Sequence, residues 1–441
     1  MALRHLLATL TVLCAVPTLL GQATPSPRAT VPSAAPVAIT VADALARAKA
    51  NSPQFQAAVT DLGLAREARV QARAGLLPGV AYNNSYIHTQ GNGTASGVFI
   101  ANNGVHEYIS QGIAHEAISA TQIADYQRAA AALALARARS EIAARGLVVT
   151  VVQSFYGYIA AQGRTATAQQ LFDEGQRFLS NTEKLEQGGE VAHSDVIKAQ
   201  IQANDLLRAR DEAKLAEQTA KLSLAVLLFP NFFQDFTLVS DLASVPPLPP
   251  IANIQQLAEK NNPELKAAYA AMQVANREVS AARAEYLPSL TVDMFYGIDA
   301  NQFARYNREG AANLGYAGAA TLNVPIWNWG AIQSRVRQAQ LQRNLATVEL
   351  SAAQRTALAD LQNFYSEAET ARSHLDLLRN TAALAAESLR LTTLRYQAGE
   401  ATALEVVDAQ NTLAAARNSL DDGEARYRIA LAQLQTLTGP F

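Results

Sequence analysis

Ala72-Arg-Ala-Gly-Leu-Leu-Pro78 is answered 210 residues later by Ala282-Arg-Ala-Glu-Tyr-Leu-Pro288. The echo begins upstream, where Asn51-Ser-Pro53 falls on Asn261-Asn-Pro263, and residues 51–78 share 10 of 28 positions with 261–288. Chance in an alanine-rich chain gives about three. The same offset lays Gly189-Glu190 on Gly399-Glu400 and Ala199-Gln200 on Ala409-Gln410. The chain is a tandem duplication. Its halves meet at Val245-Pro-Pro-Leu-Pro-Pro250, which cannot continue a helix and reads as an extended crossover.

Each half carries the same punctuation. Pro53 and Pro263 stand behind Ser52 and Asn262, a proline in the first turn behind a capping side chain, and Pro78 and Pro288 stop the helix 25 residues on. About 24 residues of helix are expected between them. The period then falls from 3.6 to 2: Leu290, Val292, Met294 and Tyr296 alternate with Ser289, Thr291, Asp293 and Phe295. Leu322, Val324 and Ile326 repeat the alternation against Thr321, Asn323 and Pro325. These predict strands with one greasy face toward lipid and Thr291 and Asp293 on the opposite face. In the first half, Val80, Tyr82 and Tyr86 make a weaker strand and residues 105–113 a weaker one still. Gly91–Gly104 and Gly297–Gly315 read as the connecting loops.

From about 115 to 187, and again from 329 to 396, the chain is free of proline and dense in Ala, Gln, Leu, Arg and Glu. Helix formers sustained over roughly 70 residues give about 100 Å of helix, longer than a compact domain needs. Each stretch turns back at a glycine into a return helix, roughly 192–229 and 402–438. In the second, Val406, Leu413, Leu420, Tyr427 and Leu434 recur every seven residues, with Ala409, Ala416, Gly423 and Ala430 three places after the first four. That is a coiled-coil seam with close helix approach.

Composition narrows the function. There are 36 Lys+Arg against 38 Asp+Glu, a formal net charge of -2 and a mean hydropathy of -0.01, so the basic excess that nucleic acid demands is missing. Residues 1–23 read as a cleaved secretory signal: Arg4 and His5, an apolar run to Leu20, then small residues. The single cysteine, Cys14, lies inside it, which leaves no thiol chemistry in the mature chain. Past residue 20 no run of about 18 apolar residues of the bilayer-spanning kind is evident. The six histidines show no metal-ligand spacing, Gly91–Gly97 lacks the spacing of a nucleotide loop, and no catalytic constellation stands out. No enzyme activity, metal or cofactor is expected. The expected division is a signal at 1–23, a spacer at 24–40, a first repeat at 41–245, the crossover at 246–250 and a second repeat at 251–441.

Four strands of about ten residues suit a membrane wall, yet they cannot close a barrel, and an open edge is intolerable in lipid. Closure therefore asks for several copies, and three would supply twelve strands above twelve helical staves.

Two stretches resemble one family. Leu322-Asn-Val-Pro-Ile-Trp-Asn-Trp-Gly330 ahead of Arg335 and Arg337 is similar to the strand-to-helix signature of the bacterial outer membrane efflux proteins, the TolC family. Arg395-Tyr-Gln-Ala-Gly-Glu-Ala-Thr-Ala-Leu-Glu-Val-Val-Asp-Ala-Gln410 is similar to its helix-turn-helix tip. The resemblance covers the mature chain. It implies a mainly α fold with β: long antiparallel coiled-coil helices forming an α-barrel, joined to a trimeric twelve-stranded transmembrane β-barrel. It further implies an outer-membrane homotrimer that is the exit duct of a tripartite efflux or type I secretion system, docking on a periplasmic adaptor (membrane fusion protein) below which stands an inner-membrane pump. By the same resemblance, Tyr396 and Asp195 match a pair that holds the tunnel shut. Glu405 and Asp408 match acids at the constriction, although Glu405 equally suits a carboxylate beside a helix N-terminus. The turns at Gly189, Glu190, Gly399 and Glu400 match the adaptor-docking tips, and a closing arginine of some members is replaced by Ala401. A soluble periplasmic coiled-coil adaptor or scaffold is the competing reading; it would share the signal and heptads but would not need the strands.

Overall fold

The computed structural model describes residues 37–88, 106–242 and 244–440. The signal, Cys14, the spacer as far as residue 36 and the loop at 91–104 lie outside the described residues.

The duplication is visible element by element. The first half runs β1 (Val37–Ile39), α1 (Val41–Asn51), α2 (Pro53–Ala74), β2 (Gly79–His88), β3 (His106–Ser119), α3 (Ala120–Gln187), α4 (His193–Leu228) and β4 (Phe236–Leu238). The second runs α5 (Ile251–Asn261), α6 (Pro263–Ala284), β5 (Ser289–Ala300), β6 (Leu314–Asn323), α7 (Ala331–Gln397) and α8 (Ala403–Thr438). The expected strand–helix alternation holds, with four corrections. The spacer expected at 24–40 ends in a strand, because β1 pairs in parallel with β4 and buries Ile39. A separate helix precedes each proline, since Ser52 and Asn262 leave the helical region to cap the next helix. The strand expected at 105–113 extends to Ser119, where a capping box with Gln122 starts α3 without a loop. The strand expected through Ile326 stops at Asn323, so Val324 and Ile326 lie in the extended link to α7, which contains Pro325 and no ladder.

Helix α3 is 68 residues long and α7 is 67, about 100 Å each. In the strand-proximal half α3 packs between α2 and α6, with α7 beyond α6; in the other half α3 packs between α4 and α8, with α7 beyond α8. Shorter helices meet end to end beside the long ones. The amide of Asn51 donates to the carbonyl of Leu228, the last residue of α4, at 2.7 Å. Its repeat equivalent, Asn261, donates to Thr438, the last residue of α8, at 3.0 Å. Each asparagine thus fills an orphan carbonyl at a helix end.

The core follows the seams. One cluster joins Ile39, Val151, Phe155, Leu224, Leu228 and Phe236 where the β1–β4 pair crosses α3 and α4. It explains the charge-free run from Gly146 to Gly163: α3 contains one window long and apolar enough to span a membrane by composition, and its side chains Leu147 to Tyr158 enter this cluster. A second cluster near the far end joins Leu171, Phe178, Leu206, Leu389, Val406 and Leu413. The heptad is borne out at four of its five large positions, with Val406, Leu413, Tyr427 and Leu434 buried beside Ala409, Ala416, Gly423 and Ala430, while Leu420 is half-buried against the second cluster. The crossover is fastened to α8: the Tyr427 hydroxyl donates to the Pro246 carbonyl at 2.6 Å, and Arg428 reaches the Asp241 and Ser244 carbonyls.

Candidate functional site

At one end of the helices stands a four-stranded antiparallel sheet in the order β2-β3-β5-β6. Cross-strand partners share a face, so the register sorts the side chains. Leu290, Val292, Met294 and Tyr296 face the same side as Leu322 and Tyr316 of β6 and as Val80, Tyr82 and Tyr86 of β2, through the ladder of β3. Tyr82, Tyr296 and Tyr316 lie in one row through Gly112. One acid breaks this face: Glu116, opposite Val292, has a buried carboxylate oxygen with no hydrogen-bond partner. The other face carries Asn83, Gln111, His115, Thr291, Asp293, Asp299 and Thr321. There His115 Nδ1 and Asp293 Oδ1 are 2.6 Å apart, a cross-strand contact that neither half of the sequence announces. Along β5, Val292, Met294 and Tyr296 are exposed while Asp293 and Phe295 are half-buried. Both outer strands, β2 and β6, are exposed over most of their length and have unpaired ladder edges among the described residues.

The opposite end consists of two turns built alike. After α3, Gly189 is left-handed at φ 76°, its N–H donates to the Glu186 carbonyl at 2.8 Å, and Glu190 donates to Leu185 at 2.9 Å. After α7, Gly399 takes φ 73°, donating to Tyr396 at 3.1 Å, and Glu400 donates to Arg395 at 2.8 Å. Both are Schellman closures, in which a left-handed residue lets two N–H groups fill the last helical carbonyls. A β-carbon resists that conformation, which is why a glycine turns the chain at each tip.

The residues singled out at the tip separate into three groups. Tyr396 is buried, its ring tilted against Phe178 at 5.1 Å and its hydroxyl donating to Thr182 Oγ1 at 3.0 Å. Thr182 in turn donates to the Phe178 carbonyl. Asp195 pairs with Lys198 at 3.1 Å on its own helix, so one protomer does not join Tyr396 to Asp195. Glu405 closes a capping box: its carboxylate accepts from the Thr402 N–H at 3.0 Å, and its own N–H donates to the Thr402 hydroxyl. Those bonds, with Arg395 at 3.6 Å, hold its carboxyl below the usual range. Asp408 is exposed and has no ion pair or side-chain hydrogen bond among the described residues. Among the described residues no group of three or more His, Cys, Asp or Glu is placed to hold a metal ion.

Comparison with known proteins decides the class. The family description "Outer membrane efflux protein" matches residues 254–440. The alkaline protease secretion protein AprF of Pseudomonas aeruginosa is 24% identical over 400 residues, 88% of this chain and 82% of that protein. The outer membrane protein TolC of Escherichia coli is 23% identical over 407 residues, 88% and 79% of the two chains. The fold superposes on the Campylobacter jejuni CmeC outer membrane channel with a TM-score of 0.80 at 15% identity, covering 90% of this chain and 85% of that one.

Together these findings support a TolC-family outer membrane efflux protein. By these relatives it is an outer-membrane channel, with the long helices as its periplasmic tunnel, and the family they represent comprises channels rather than enzymes. The soluble adaptor reading falls, because relatives spanning four-fifths of their own length with it are outer-membrane proteins of efflux or secretion.

Proposed function

We propose that this efflux protein works as a homotrimer, a single duct that carries small molecules or a secreted polypeptide from an inner-membrane pump through the periplasm to the outside. The observation that carries the reading is that the protomer ends in unfinished edges at every level. The sheet is open at β2 and β6, and the helical layer is open at α2 and α4 on one side and at α7 on the other. The open helices expose apolar residues: Leu377, Leu384 and Leu391 recur every seven residues on α7, and Ile201, Leu215 and Leu222 lie on α4. Unpaired edges in lipid and exposed heptad leucines in water are both satisfied when α7 of one copy meets α4 of the next and β6 meets β2.

In this assembly Leu290, Val292, Met294, Tyr296 and Leu322 face lipid, and Asp293 and His115 face water in the lumen. Val324 and Ile326, outside the ladder, stand with exposed Trp327 and Trp329 at the level where strand becomes helix, suited to the lipid–water interface. Gly189, Glu190, Gly399 and Glu400 form the surface that meets a periplasmic adaptor. Of Glu405 and Asp408, Asp408 is the one free to form a threefold ring that attracts cations, while Glu405 is committed to its cap. Tyr396 keeps the tip closed by tying α7 to α3 through Thr182, and Asp195 is available to a neighbouring copy across the α4–α7 seam.

Crosslinking and unboiled electrophoresis of outer-membrane fractions should give a trimer; a mature chain recovered monomeric from periplasmic extract overturns the reading. In planar bilayers, Tyr396→Phe should raise single-channel conductance and Asp408→Asn should lower cation preference. Unchanged currents would remove the residue concerned from the gate.

A further inference from the structure

His88 and His106 end the first hairpin at the side away from the helices. The β2–β3 register sets them directly opposite each other, one row beyond Tyr86 and Tyr108 on the same face. Their rings lie 5.0 Å apart at 26°, with the two Nδ1 atoms separated by 3.2 Å. The Tyr86 hydroxyl is 2.8 Å from the same Nδ1 of His106. Two neutral imidazoles facing each other nitrogen to nitrogen need something between the lone pairs, and a single proton satisfies one nitrogen as donor and the other as acceptor. A phenol directed at the same nitrogen then competes for that position.

A metal ion resolves the competition. Two nitrogens bound to one tetrahedral zinc at roughly 2.0–2.1 Å lie about 3.3 Å apart, which matches the separation already present. We propose that His88, His106 and the Tyr86 oxygen form a binding site for a divalent transition-metal ion, with water completing the coordination. Imidazole and phenol oxygen select zinc, copper or nickel over calcium or magnesium, which prefer all-oxygen cages. The ladder that leads up to the pair, through Tyr86↔Tyr108 and Ile87↔Glu107, fixes the backbone, so the ligands need only small rotations.

The other placed histidines differ. His115 is engaged by Asp293 and His193 by Glu186, each at 2.6 Å, and among the described residues none of His115, His193 and His374 has a second imidazole beside it. In a trimer there are three such sites, at the base of the loops that leave β2 and enter β3, and an ion at each ties the two strands together at the mouth. The chemistry of the site stands on the hairpin register alone and does not require the duct reading.

The test is a Cu2+ titration of the full-length protein, purified without a polyhistidine tag and followed by electron paramagnetic resonance. One copper per chain with nitrogen hyperfine structure is expected. His88→Ala and His106→Ala should each weaken binding by about tenfold or more, while His115→Ala and His193→Ala leave it intact and Tyr86→Phe alters the spectrum while keeping the nitrogens. Should an alanine variant fail to assemble, His88→Gln and His106→Gln serve in its place. Absence of stoichiometric copper, or an unchanged spectrum and affinity in the His88 and His106 variants, overturns the site whatever the oligomeric state proves to be.

Discussion

Among the described carboxyl groups outside the membrane segments, Asp421 departs furthest from its ordinary state. It sits on α8 against Gly163 of α3, where any β-carbon would collide with its carboxylate. Burial, with Glu424 and Asp422 nearby, pushes its carboxyl up to about 6, against the pull of Arg164 and Arg417. A carboxyl raised in the folded state binds its proton more tightly there than in the unfolded chain, so its contribution is most favourable at acid pH and is lost as pH rises from about 4 through 6. Asp421→Asn should therefore flatten the stability profile between pH 5 and 7, by up to about 1 kcal/mol once its half exposure is allowed for. Thermal unfolding followed by circular dichroism at both pH values, variant against parent, measures the difference. Carboxylates held low, such as Glu367 by Arg426 and Glu387 by Arg390, act in the opposite sense and are common to both proteins.

At the scale of elements, two features of the duplication make quantitative predictions. Gly423 lets α8 approach α7 so closely that Leu378 occupies the space a β-carbon would fill. Gly423→Val should force the seam apart and cost about 1–3 kcal/mol of unfolding free energy. The heptad was legible because a seam needs a small residue opposite a large one, and that need writes itself into the sequence every seven places. The second feature was not legible. Asn51 and Asn261 looked like ends of a repeated motif, and only the fold shows them capping α4 and α8, 177 residues further along the chain. Asn51→Ala and Asn261→Ala should each cost about 1 kcal/mol, and the double variant their sum within about 0.5 kcal/mol, because the two sites share no partner. A denaturant series of all three variants tests both statements.

For the whole molecule, the open helical edges set the prediction. Leu384 is exposed in the protomer and central in the Leu377–Leu384–Leu391 row. Leu384→Glu places three charges in the intersubunit seams of a trimer while leaving the protomer's own core untouched. Analytical ultracentrifugation in detergent should show dissociation toward monomers with helical content kept; an intact trimer would show that another face carries the contact.

Periodicity and punctuation by themselves determined the duplicated plan, the long helices with their return strokes, the membrane hairpins and the glycine tips. Each of these rests on local rules: a proline that must start or stop a helix, an alternation that only a strand can use, a left-handed residue that favours glycine. Tertiary structure alone decided that Tyr396 bonds Thr182 rather than Asp195 within a protomer, that His88 faces His106, and that Val37–Ile39 pairs with Phe236–Leu238. Those contacts join residues 214, 18 and about 200 positions apart, where no local pattern constrains the partner. The chain's period sets which face a side chain occupies; only the packing of distant segments sets what it meets there.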